Sequence, residues 1–269
     1  MSAPLEDTFA DILGKAQRGL AISNSELSEK SSVSLADLKL LHAGNFDEAA
    51  TRKIAPHLGL NADALSAIAL QRWQPQPAGI DGLFFTTTPF DDMTVNAYLV
   101  WDADTREAAA FDTGADCSGL LRFLAEQRLA LRFILCTHTH GDHILELDLL
   151  REKTGARAFA SRHEPLDGAE PFDEGKFFAL GKLRIDTRLT WGHSRGGITY
   201  VVSGLANPVA VVGDALFAGS RGGGMVSYTD ALRTNREQIF SLPDDTILCP
   251  GHGPLTTVGE EKKHNPFFA

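Results

Sequence analysis

Three histidines and an aspartate fall within six consecutive positions of the segment THTHGDH, Thr137 to His143. Imidazole nitrogens and carboxylate oxygens are the donors that zinc, iron and manganese accept. The segment follows an apolar run typical of a strand and precedes a helix, so His138 and His140 can point in one direction while Asp142 and His143 occupy the turn. A single histidine is usually an ordinary polar residue, but this grouping predicts a metal site.

Further donors stand singly in short turns that follow apolar segments. His193 lies in LTWGHSRGG, Asp214 in VAVVGDALFAGS and His252 in TILCPGHGP. Each has a glycine beside it, which allows the backbone to turn sharply and bring a side chain toward a shared site at a sheet edge. Together with the first segment, these residues complete two sets of metal donors.

The chain has 269 residues, of which 43% are hydrophobic and 22% charged. This composition is that of a soluble globular protein with one large domain, or with one large domain and a small second domain. The formal net charge of −10 disfavours binding to nucleic acid or an anionic membrane. The N-terminus lacks a basic leader with an apolar core, and no run approaches the roughly 18 apolar residues of a membrane helix. The three cysteines lie far apart and do not predict a disulfide framework. We expect a cytoplasmic protein with no membrane association.

The elements that must position the donors are predicted within residues 80–269, where short β-branched and aromatic runs alternate with amphipathic segments. The predicted strands are LFFTT, VNAYLVW, AAAFD, LRFILCT, RAFAS, LRIDTRL, ITYVVS, VAVVG and TILCP, and the predicted helices are CSGLLRFLAEQ, ILELDLLREKT and YTDALRTNREQIF. Strands with helices between them predict a layered α/β domain. A linker at 73–79, which contains prolines and a glycine, precedes it.

Residues 1–72 predict a separate all-α region of about five short helices. The predicted cap residues are Ser23, Ser34 and Asn61 at helix N-termini and Gly44 and Gly59 at helix ends. The stretch from 24 to 60 resembles the helix-turn-helix domain of the Cro and C1 repressor type. In that resemblance, Leu35 to His42 takes the position of the recognition helix.

The side chains of this region are poorly suited to DNA. A recognition helix needs Arg, Lys, Gln or Asn to reach base edges and phosphates, yet Leu35 to His42 offers only Lys39 as a firm cation, beside Asp37. Over residues 1–72, seven Lys and Arg stand against nine Asp and Glu. We therefore predict a helical module that joins copies of the chain in a homo-oligomer or covers the active site, with DNA binding as the less favoured alternative.

The order HxHxDH, GH, GD and PGHGP resembles the pattern of the metallo-β-lactamase superfamily. The resemblance implies an αβ/βα sandwich with two metal ions at one edge. It implies that one ion is held by His138, His140 and His193, the other by Asp142, His143 and His252, and that Asp214 bridges them. Asp112, in AFDTGAD, matches an aspartate that supports the site without binding metal.

Within that superfamily, the tail SLPDDTILCPGHGPLTTVGEEKKHNPF is similar to the hydroxyacylglutathione hydrolase (glyoxalase II) group, especially its short bacterial members. Three positions depart from the group. Leu145 and Glu146 replace a glycine pair, Trp191 replaces a proline, and RGGGMVSYTD replaces the customary loop. These departures leave the metal ligands intact but weaken the expectation that the substrate contains glutathione.

The resemblance implies a cofactor of two divalent metal ions, zinc first, with iron or manganese as alternatives. Two such ions, roughly 3.5–4 Å apart, can hold a bridging water and lower its pKa toward 7, which supplies a hydroxide nucleophile. Asp142 is the predicted catalytic residue, since it could orient that water or take its proton. A thioester suits this chemistry because a thiolate leaves without a strong acid. Arg195, Arg221 and Tyr228 are the predicted substrate contacts.

Other functions remain open at this point. A persulfide dioxygenase-like enzyme with a single iron also retains HxHxDH, although His252 in PGHGP favours a second metal. A lactonase could use the same hydroxide on a cyclic ester. A DNA-binding regulator that senses a metabolite would be a protein of another class, built on the N-terminal helices.

Overall fold

A computed structural model describes residues 4–76 and 79–269. Residues 77 and 78 of the predicted linker 73–79 lie outside the described residues, as do residues 1–3. The helices are α1 (Phe9–Gly19), α2 (Asn24–Ser31), α3 (Leu35–His42), α4 (Glu48–Ile54), α5 (Ala62–Ala69), α6 (Ser118–Glu126), α7 (Gly141–Ile144), α8 (Leu147–Thr154), α9 (Tyr228–Thr234) and α10 (Val258–His264), with a 3₁₀ turn at Ala55–Leu58 and a π-helical turn at Asn235–Ile239. The strands are β1 (Leu83–Phe90), β2 (Met93–Trp101), β3 (Glu107–Phe111), β4 (Ala130–Leu135), β5 (Arg157–Ser161), β6 (Glu170–Phe172), β7 (Phe177–Leu180), β8 (Leu183–Leu189), β9 (Ile198–Ser203), β10 (Val209–Gly213), β11 (Ile247–Pro250) and β12 (Thr256–Thr257).

In the described part of the chain these strands form two six-stranded sheets, ordered β1-β2-β3-β4-β5-β6 and β12-β11-β10-β9-β8-β7. In the first sheet β1, β2 and β3 are antiparallel neighbours, and β3 to β6 run parallel. In the second sheet β10 and β11 are parallel, and the other neighbours are antiparallel. Strands β4, β10 and β11 therefore end beside parallel partners, which suits them to carry a site at one edge.

Side chains along the central strands alternate between two apolar layers. In β3, Ala109 and Phe111 pack between the sheets, while Ala108 and Ala110 pack with α6 and α8. Strand β10 divides its side chains in the same way between the inner layer and an outer layer with α10. The period of two in a strand makes both faces apolar when both are covered. The result is an αβ/βα sandwich preceded by N-terminal helices, and the predicted fold class is confirmed.

All nine predicted strands are present, but some short elements were not predicted. Strands β6, β7 and β12 have three, four and two residues, too few for a periodic pattern to show. Helix α10 begins after Thr257, whose hydroxyl accepts a hydrogen bond from Glu260 N at 3.2 Å. The predicted helix over ILELDLLREKT is divided, since α7 ends at Ile144 and α8 begins at Leu147.

The N-terminal helices begin and end where the cap residues predict. Ser23 Oγ and Ser34 Oγ each accept a backbone N–H at 3.1 Å, and Asn61 Oδ1 accepts one at 2.9 Å. Gly44 and Gly59 follow helical turns with φ of 87° and 65°, a conformation that glycine adopts without steric cost. Across the described residues, no helix combines the length and apolar character needed to cross a membrane. Oligomer formation through these helices stays a prediction.

Helix α1 joins the N-terminal helices to the sandwich. Buried side chains of α1 share one apolar cluster with Ala218, Tyr228 and Phe267. Gly19 permits this contact, because a Cβ at that position would overlap the Tyr228 ring. The two parts of the chain therefore pack around a common core.

Polar contacts reinforce the same interface. Asp7 forms an ion pair with Lys15 and accepts a hydrogen bond from Ser220 Oγ at 2.5 Å. Lys15 Nζ also donates to the carbonyl of Arg221 at 2.8 Å. The first turn of the N-terminal region is thus attached to the loop that follows Ala218.

A buried carboxylate, Glu261 on α10, holds this loop from the opposite side. It accepts hydrogen bonds from Gly219 N at 3.0 Å, Thr256 Oγ1 at 2.7 Å and Asn265 Nδ2 at 2.8 Å. Burial raises the pKa of Glu261 to about 7, against the effect of these hydrogen bonds. The group therefore takes up a proton more readily when the chain is folded.

Replacing Glu261 should change how stability depends on pH. Because its folded-state pKa lies above the ordinary 4.5, Glu261 stabilises the fold most below pH 4.5, and this contribution is lost as pH rises toward 7. Between pH 5.5 and pH 8, the free energy of unfolding of Glu261→Gln should therefore rise relative to that of the wild type by on the order of 2 kcal/mol. Thermal unfolding at the two pH values measures this shift. Glu126→Gln, on the exposed end of α6, is the control. A stability difference between Glu261→Gln and the wild type that is equal at both pH values would contradict the expectation.

Candidate metal centre

The predicted ligands lie at one edge of the sandwich, beyond the ends of strands that run in a common direction within each sheet. His138 and His140 follow β4, Asp142 and His143 lie in α7, His193 follows β8, Asp214 follows β10 and His252 follows β11. Strand β8 has the same direction as β10 and β11, because β9 is antiparallel to both β8 and β10. Each sheet therefore delivers its donors to this edge.

Hydrogen bonds between the sheets bring the two groups of loops together. Tyr98 Oη, from the first sheet, donates to Pro250 O at 2.7 Å, and Tyr200 Oη, from the second, donates to Cys136 O at 2.8 Å. Ile198 N donates to Thr137 O at 2.8 Å. Each accepting carbonyl belongs to a residue one or two positions before a predicted ligand. The relative position of the sheets therefore fixes the ligands.

The first group comprises His138, His140, His193 and Asp214. His140 Nδ1 lies 3.0 Å from His138 Nε2 and 3.1 Å from His193 Nε2. Asp214 Oδ2 lies 3.3 Å from His193 Nε2 and 3.9 Å from His138 Nε2. Donors bound to one ion at about 2.1 Å are separated by roughly 3.0–3.4 Å, so this group matches a single ion.

The second group comprises Asp142, His143 and His252. Asp142 Oδ2 lies 3.4 Å from His143 Nε2 and 3.3 Å from His252 Nε2. Asp214 also reaches this group, since its Oδ1 is 3.3 Å from His143 Nε2 and its Oδ2 is 3.5 Å from His252 Nε2. The structure thus brings all seven predicted ligands together with Asp214 between the groups, and their binding of metal stays a prediction.

Two atoms at the centre of this arrangement test whether metal ions fit. His143 Nε2 and Asp214 Oδ1 are buried and lie 3.3 Å apart, but they form no hydrogen bond of suitable geometry with each other or with another described residue. Leaving buried polar atoms unpaired costs free energy, so such atoms ordinarily have a partner. Both atoms belong to good ligands for divalent ions, and the donor set fits such ions.

The ring nitrogens that face away from the centre have acceptors. His193 Nδ1 lies 2.9 Å from Gly223 O, and His252 Nδ1 lies 2.6 Å from Thr94 O. A histidine that donates through one nitrogen presents the lone pair of the other, and metal-binding histidines are usually held in this way. These two carbonyls therefore select the tautomer that leaves Nε2 free to bind.

Asp112, predicted to support the site, contacts both groups. Its Oδ2 lies 2.8 Å from His143 Nδ1 and accepts from Thr137 Oγ1 at 2.7 Å, while its Oδ1 accepts from Thr137 N at 2.7 Å. The Thr137 oxygen lies 3.0 Å from His138 Nδ1 and can accept its proton. One carboxylate thereby orients His143 directly and His138 through Thr137. Asp112 has φ of 57°, a strained conformation that the surrounding bonds maintain.

The buried charges shift the pKa values of the ligands in opposite directions. Burial, helped by the charge of His143, lowers the pKa of His138 well below its usual value. Burial also acts downward on His143 and His252, but nearby carboxylates, Asp214 among them, raise their pKa values to about 10 and about 11. Despite burial, His143 holds the pKa of Asp214 well below its usual value. The carboxylates thus favour a positive charge at His143 and His252, whereas burial disfavours one at His138.

Glycines permit the close approach of these loops. A Cβ on Gly251 would overlap Asp214 Oδ1 and lie 2.6 Å from His143 Cε1, and a Cβ on Gly222 would overlap the Asp214 carbonyl. Neither position has a positive φ, so the requirement comes from lack of space. The glycines of PGHGP and RGGG therefore help to place the ligands.

The predicted substrate contacts differ in position. Arg195 is exposed beside His193. Arg221 and Tyr228 are 1% and 7% exposed, with the guanidinium 5.0 Å from the Tyr228 ring. Burial lowers the pKa of Arg221 to about 10. The loop borders the metal centre through its glycines, but these two side chains turn toward the interface with α1, and substrate contact by all three stays a prediction.

Some groups at the centre carry no sequence signal. The carbonyls of Thr94 and Gly223 hold ligands, and any residue type can supply a carbonyl. Glu6, far away in sequence, packs against Gly253 next to His252. Only the folded chain brings these groups to the site.

Residues 90–252 match the model of the Metallo-beta-lactamase superfamily. The chain belongs to this superfamily. Hydroxyacylglutathione hydrolase GloC of Haemophilus influenzae is 28% identical over 198 residues, which are 64% of this chain and 92% of that protein. Human mitochondrial persulfide dioxygenase ETHE1 is 31% identical over 183 residues, 63% of this chain and 69% of that protein. The crystal structure of ETHE1 from Myxococcus xanthus has a TM-score of 0.62 at 28% identity and covers 69% of this chain and 84% of that chain.

The predicted superfamily is confirmed, and the glyoxalase II-like proteins are one of several related groups that match. Metallo-β-lactamase superfamily proteins bind divalent metal ions, and this member has a His/Asp cluster suited to that role. Residues 1–89, which include all the N-terminal helices, lie outside the match to the superfamily model.

Asp112→Asn should weaken metal binding without removing a ligand. The amide replaces one acceptor oxygen by a donor, so His143 or Thr137 loses its partner. We expect a 10- to 100-fold loss of metal affinity, as measured by competition with a chelator. Asp116→Asn, exposed four residues away, should retain wild-type affinity, and an equal affinity for both variants would argue against the role of Asp112.

Gly251→Ala should disturb both groups of ligands, because the new methyl would displace Asp214 and His143. We expect the purified variant to retain less than half the metal of the wild type. Gly141→Ala is the matched control, since a Cβ there meets nothing within 4 Å. Metal content by elemental analysis, with circular dichroism to verify folding, distinguishes the two. Full metal content in folded Gly251→Ala would contradict the steric argument.

Proposed function

We propose that this chain is a dinuclear metallohydrolase that cleaves a small thioester of the hydroxyacylglutathione type, with zinc as the metal and iron or manganese as alternatives. The observation that supports it most is the Asp214 carboxylate, which lies between two groups of donors and within 3.5 Å of ligand nitrogens in both. When bound, divalent ions would polarise the ester carbonyl and lower the pKa of a water between them. His138, His140 and His193 would hold one ion, Asp142, His143 and His252 the other, and Asp214 both.

Asp142 is the candidate for orienting the attacking water or accepting its proton. Burial raises the pKa of Asp142. The hydrogen bond from His252 and the charge of His143 lower it by more than burial raises it, so the net shift is downward. The carboxylate is therefore ionised at neutral pH and can accept a hydrogen bond from water. Its position in the second group would orient that water toward the substrate.

The protein offers no better nucleophile near the centre among the described residues. Cys136 and Cys249 are buried, and burial raises the pKa of both thiols, which keeps them protonated and unreactive. The Ser220 hydroxyl donates to Asp7 and has no histidine base. Attack by water is the mechanism that the side chains support.

A thioester suits this chemistry, because a thiolate leaves without a strong general acid. The name of the relative GloC, a hydroxyacylglutathione hydrolase, supports this class of substrate. The departures at Leu145 and Glu146 do not disturb the ligands. Glu146 Oε2 accepts from the N–H of Cys117, the residue before α6, at 2.9 Å, while Leu145 is 59% exposed.

Removing one ligand from the first group or the shared ligand should abolish hydrolysis. We expect purified protein to contain close to two metal equivalents and to hydrolyse S-lactoylglutathione or a simpler thioester. His138→Ala and Asp214→Ala should each lower kcat/KM at least 100-fold, with loss of metal. His163→Ala, an exposed histidine outside both groups, should match the wild type. Metal-free protein, or activity indifferent to both ligand substitutions, would overturn the proposal.

The relative ETHE1, named as a persulfide dioxygenase, supports a second candidate. That function would use a single iron ion. It is less favoured here because His252 lies with Asp142 and His143 in a second group of donors. One iron per chain, together with oxygen uptake in the presence of glutathione persulfide, would replace the hydrolase proposal with this one.

A further inference from the structure

A cavity of about 480 Å³ lies next to the PGHGP turn that carries His252, and its described lining contains neighbours of this ligand but no ligand itself. Its wall includes Thr94, whose carbonyl holds His252, and Gly253, the residue after His252. It also includes the apolar side chains of Leu5, Phe85 and Leu255. Strand β1, the PGHGP turn and the N-terminal segment therefore enclose one space beside the metal centre.

The N-terminal segment contributes the charge of this cavity. Glu6 is the only ionisable side chain among the described residues that line it. The segment lies directly on the PGHGP turn, because a Cβ built on Gly253 would be 3.1 Å from Glu6 N and 3.3 Å from Glu6 Cβ. Burial raises the pKa of the Glu6 carboxyl, while the charge of His252 lowers it and that of Asp214 raises it, so the carboxyl lies within electrostatic range of ligands in both groups.

Contacts of the residues that follow Glu6 hold it in place. The adjacent Asp7 is tied to Lys15 and Ser220, and Phe9 is buried in the cluster that α1 shares with the sandwich. Lys15 is engaged by Asp7 and by the carbonyl of Arg221. Lys15 of α1, whose charge also acts on Glu6, is thus paired with Asp7, and the described part of the wall presents a carboxylate without a positive side chain.

We propose that this cavity receives the part of the substrate that extends from the reacting carbonyl, and that Glu6 selects for an apolar group that is neutral or cationic and against one that is anionic. This inference rests on the proposed hydrolase function and narrows its substrate class to thioesters whose group in this cavity carries no carboxylate; for a glutathione thioester, that group would be the acyl group. The apolar wall favours an apolar group by burial. A carboxylate on the substrate would meet the Glu6 carboxylate, and none of the described residues that line the cavity has a cationic side chain to compensate.

Isosteric pairs of thioesters test the selection. In one pair the thiol is the anionic 3-mercaptopropionate or the neutral 3-mercaptopropanamide. In the other pair the acyl group is the anionic glutarate or the neutral glutaramate. Within each pair the charge changes with little change of shape. In at least one pair we expect the wild type to prefer the neutral member about tenfold in kcat/KM, the effect of like charges roughly 7 Å apart in a partly solvated site. Glu6→Gln should bring that ratio toward one, and Glu6→Lys should invert it.

Glu29→Gln is the matched control, since it removes the same charge from an exposed position of α2 and should keep the wild-type ratio. The preference should also decrease with added salt, as expected for a screened interaction. Equal neutral-to-anionic ratios in the wild type and in Glu6→Gln, for both pairs, would overturn the role of Glu6.

Failure of the hydrolase proposal would look different. If the wild type hydrolyses neither neutral thioester, the reaction class is wrong, and the cavity is then tested by calorimetry with thioether analogues of the same pairs. Tighter binding of the anionic analogues by Glu6→Gln than by the wild type supports the selection. Equal affinities for them in the two proteins overturn it.

Discussion

The metal centre requires donors from two different sheets to lie within a few ångströms of one another, and the rest of the structure follows from this constraint. The two tyrosine hydroxyls that cross between the sheets end on Pro250 and Cys136, close to ligands of each group. Asp214 then lies between the groups because Gly251 leaves room for its carboxylate. A shift of one sheet by even 1 Å would separate donors of different sheets that now stand 3.1–3.9 Å apart. Close packing between the sheets resists such a shift.

The loop after Asp214 connects the metal centre to the N-terminal helices. Within this loop, Gly222 N donates to the Asp214 carbonyl and Gly223 O accepts from His193. The same loop contacts α1 through Ser220, Arg221 and Tyr228. A buried guanidinium is costly unless it is compensated, and here the rings of Tyr228 and Phe267 lie over Arg221 at 5.0 and 5.9 Å. Through Lys15, α1 therefore contacts the backbone of a buried arginine that follows Asp214 in the same loop.

Much of the centre could be predicted from the sequence because ligand chemistry is local. Four donors in THTHGDH share one turn, and the remaining three stand beside glycines at strand ends. Strands with strong apolar patterns were also predictable, whereas β6 and β12 are too short to show a period. The positions of Glu6 and Arg221 could not be predicted, since each depends on packing between segments about 200 residues apart. Side chains that look available in a loop can be covered by a distant helix.

The N-terminal helices show why a likeness in spacing says little about function. Buried Leu27, Leu38 and Leu41 and the caps at Ser23 and Ser34 are what any pair of short packed helices needs. These features produce the resemblance to repressor domains. Recognition of DNA would depend instead on the outer face of α3, where Leu35 and Leu40 are about half exposed and Lys39 is the only lysine or arginine of the helix. The contacts that do distinguish this region are those of α1 and Glu6 with the metal-centre loops, which link it physically to the site of the proposed reaction.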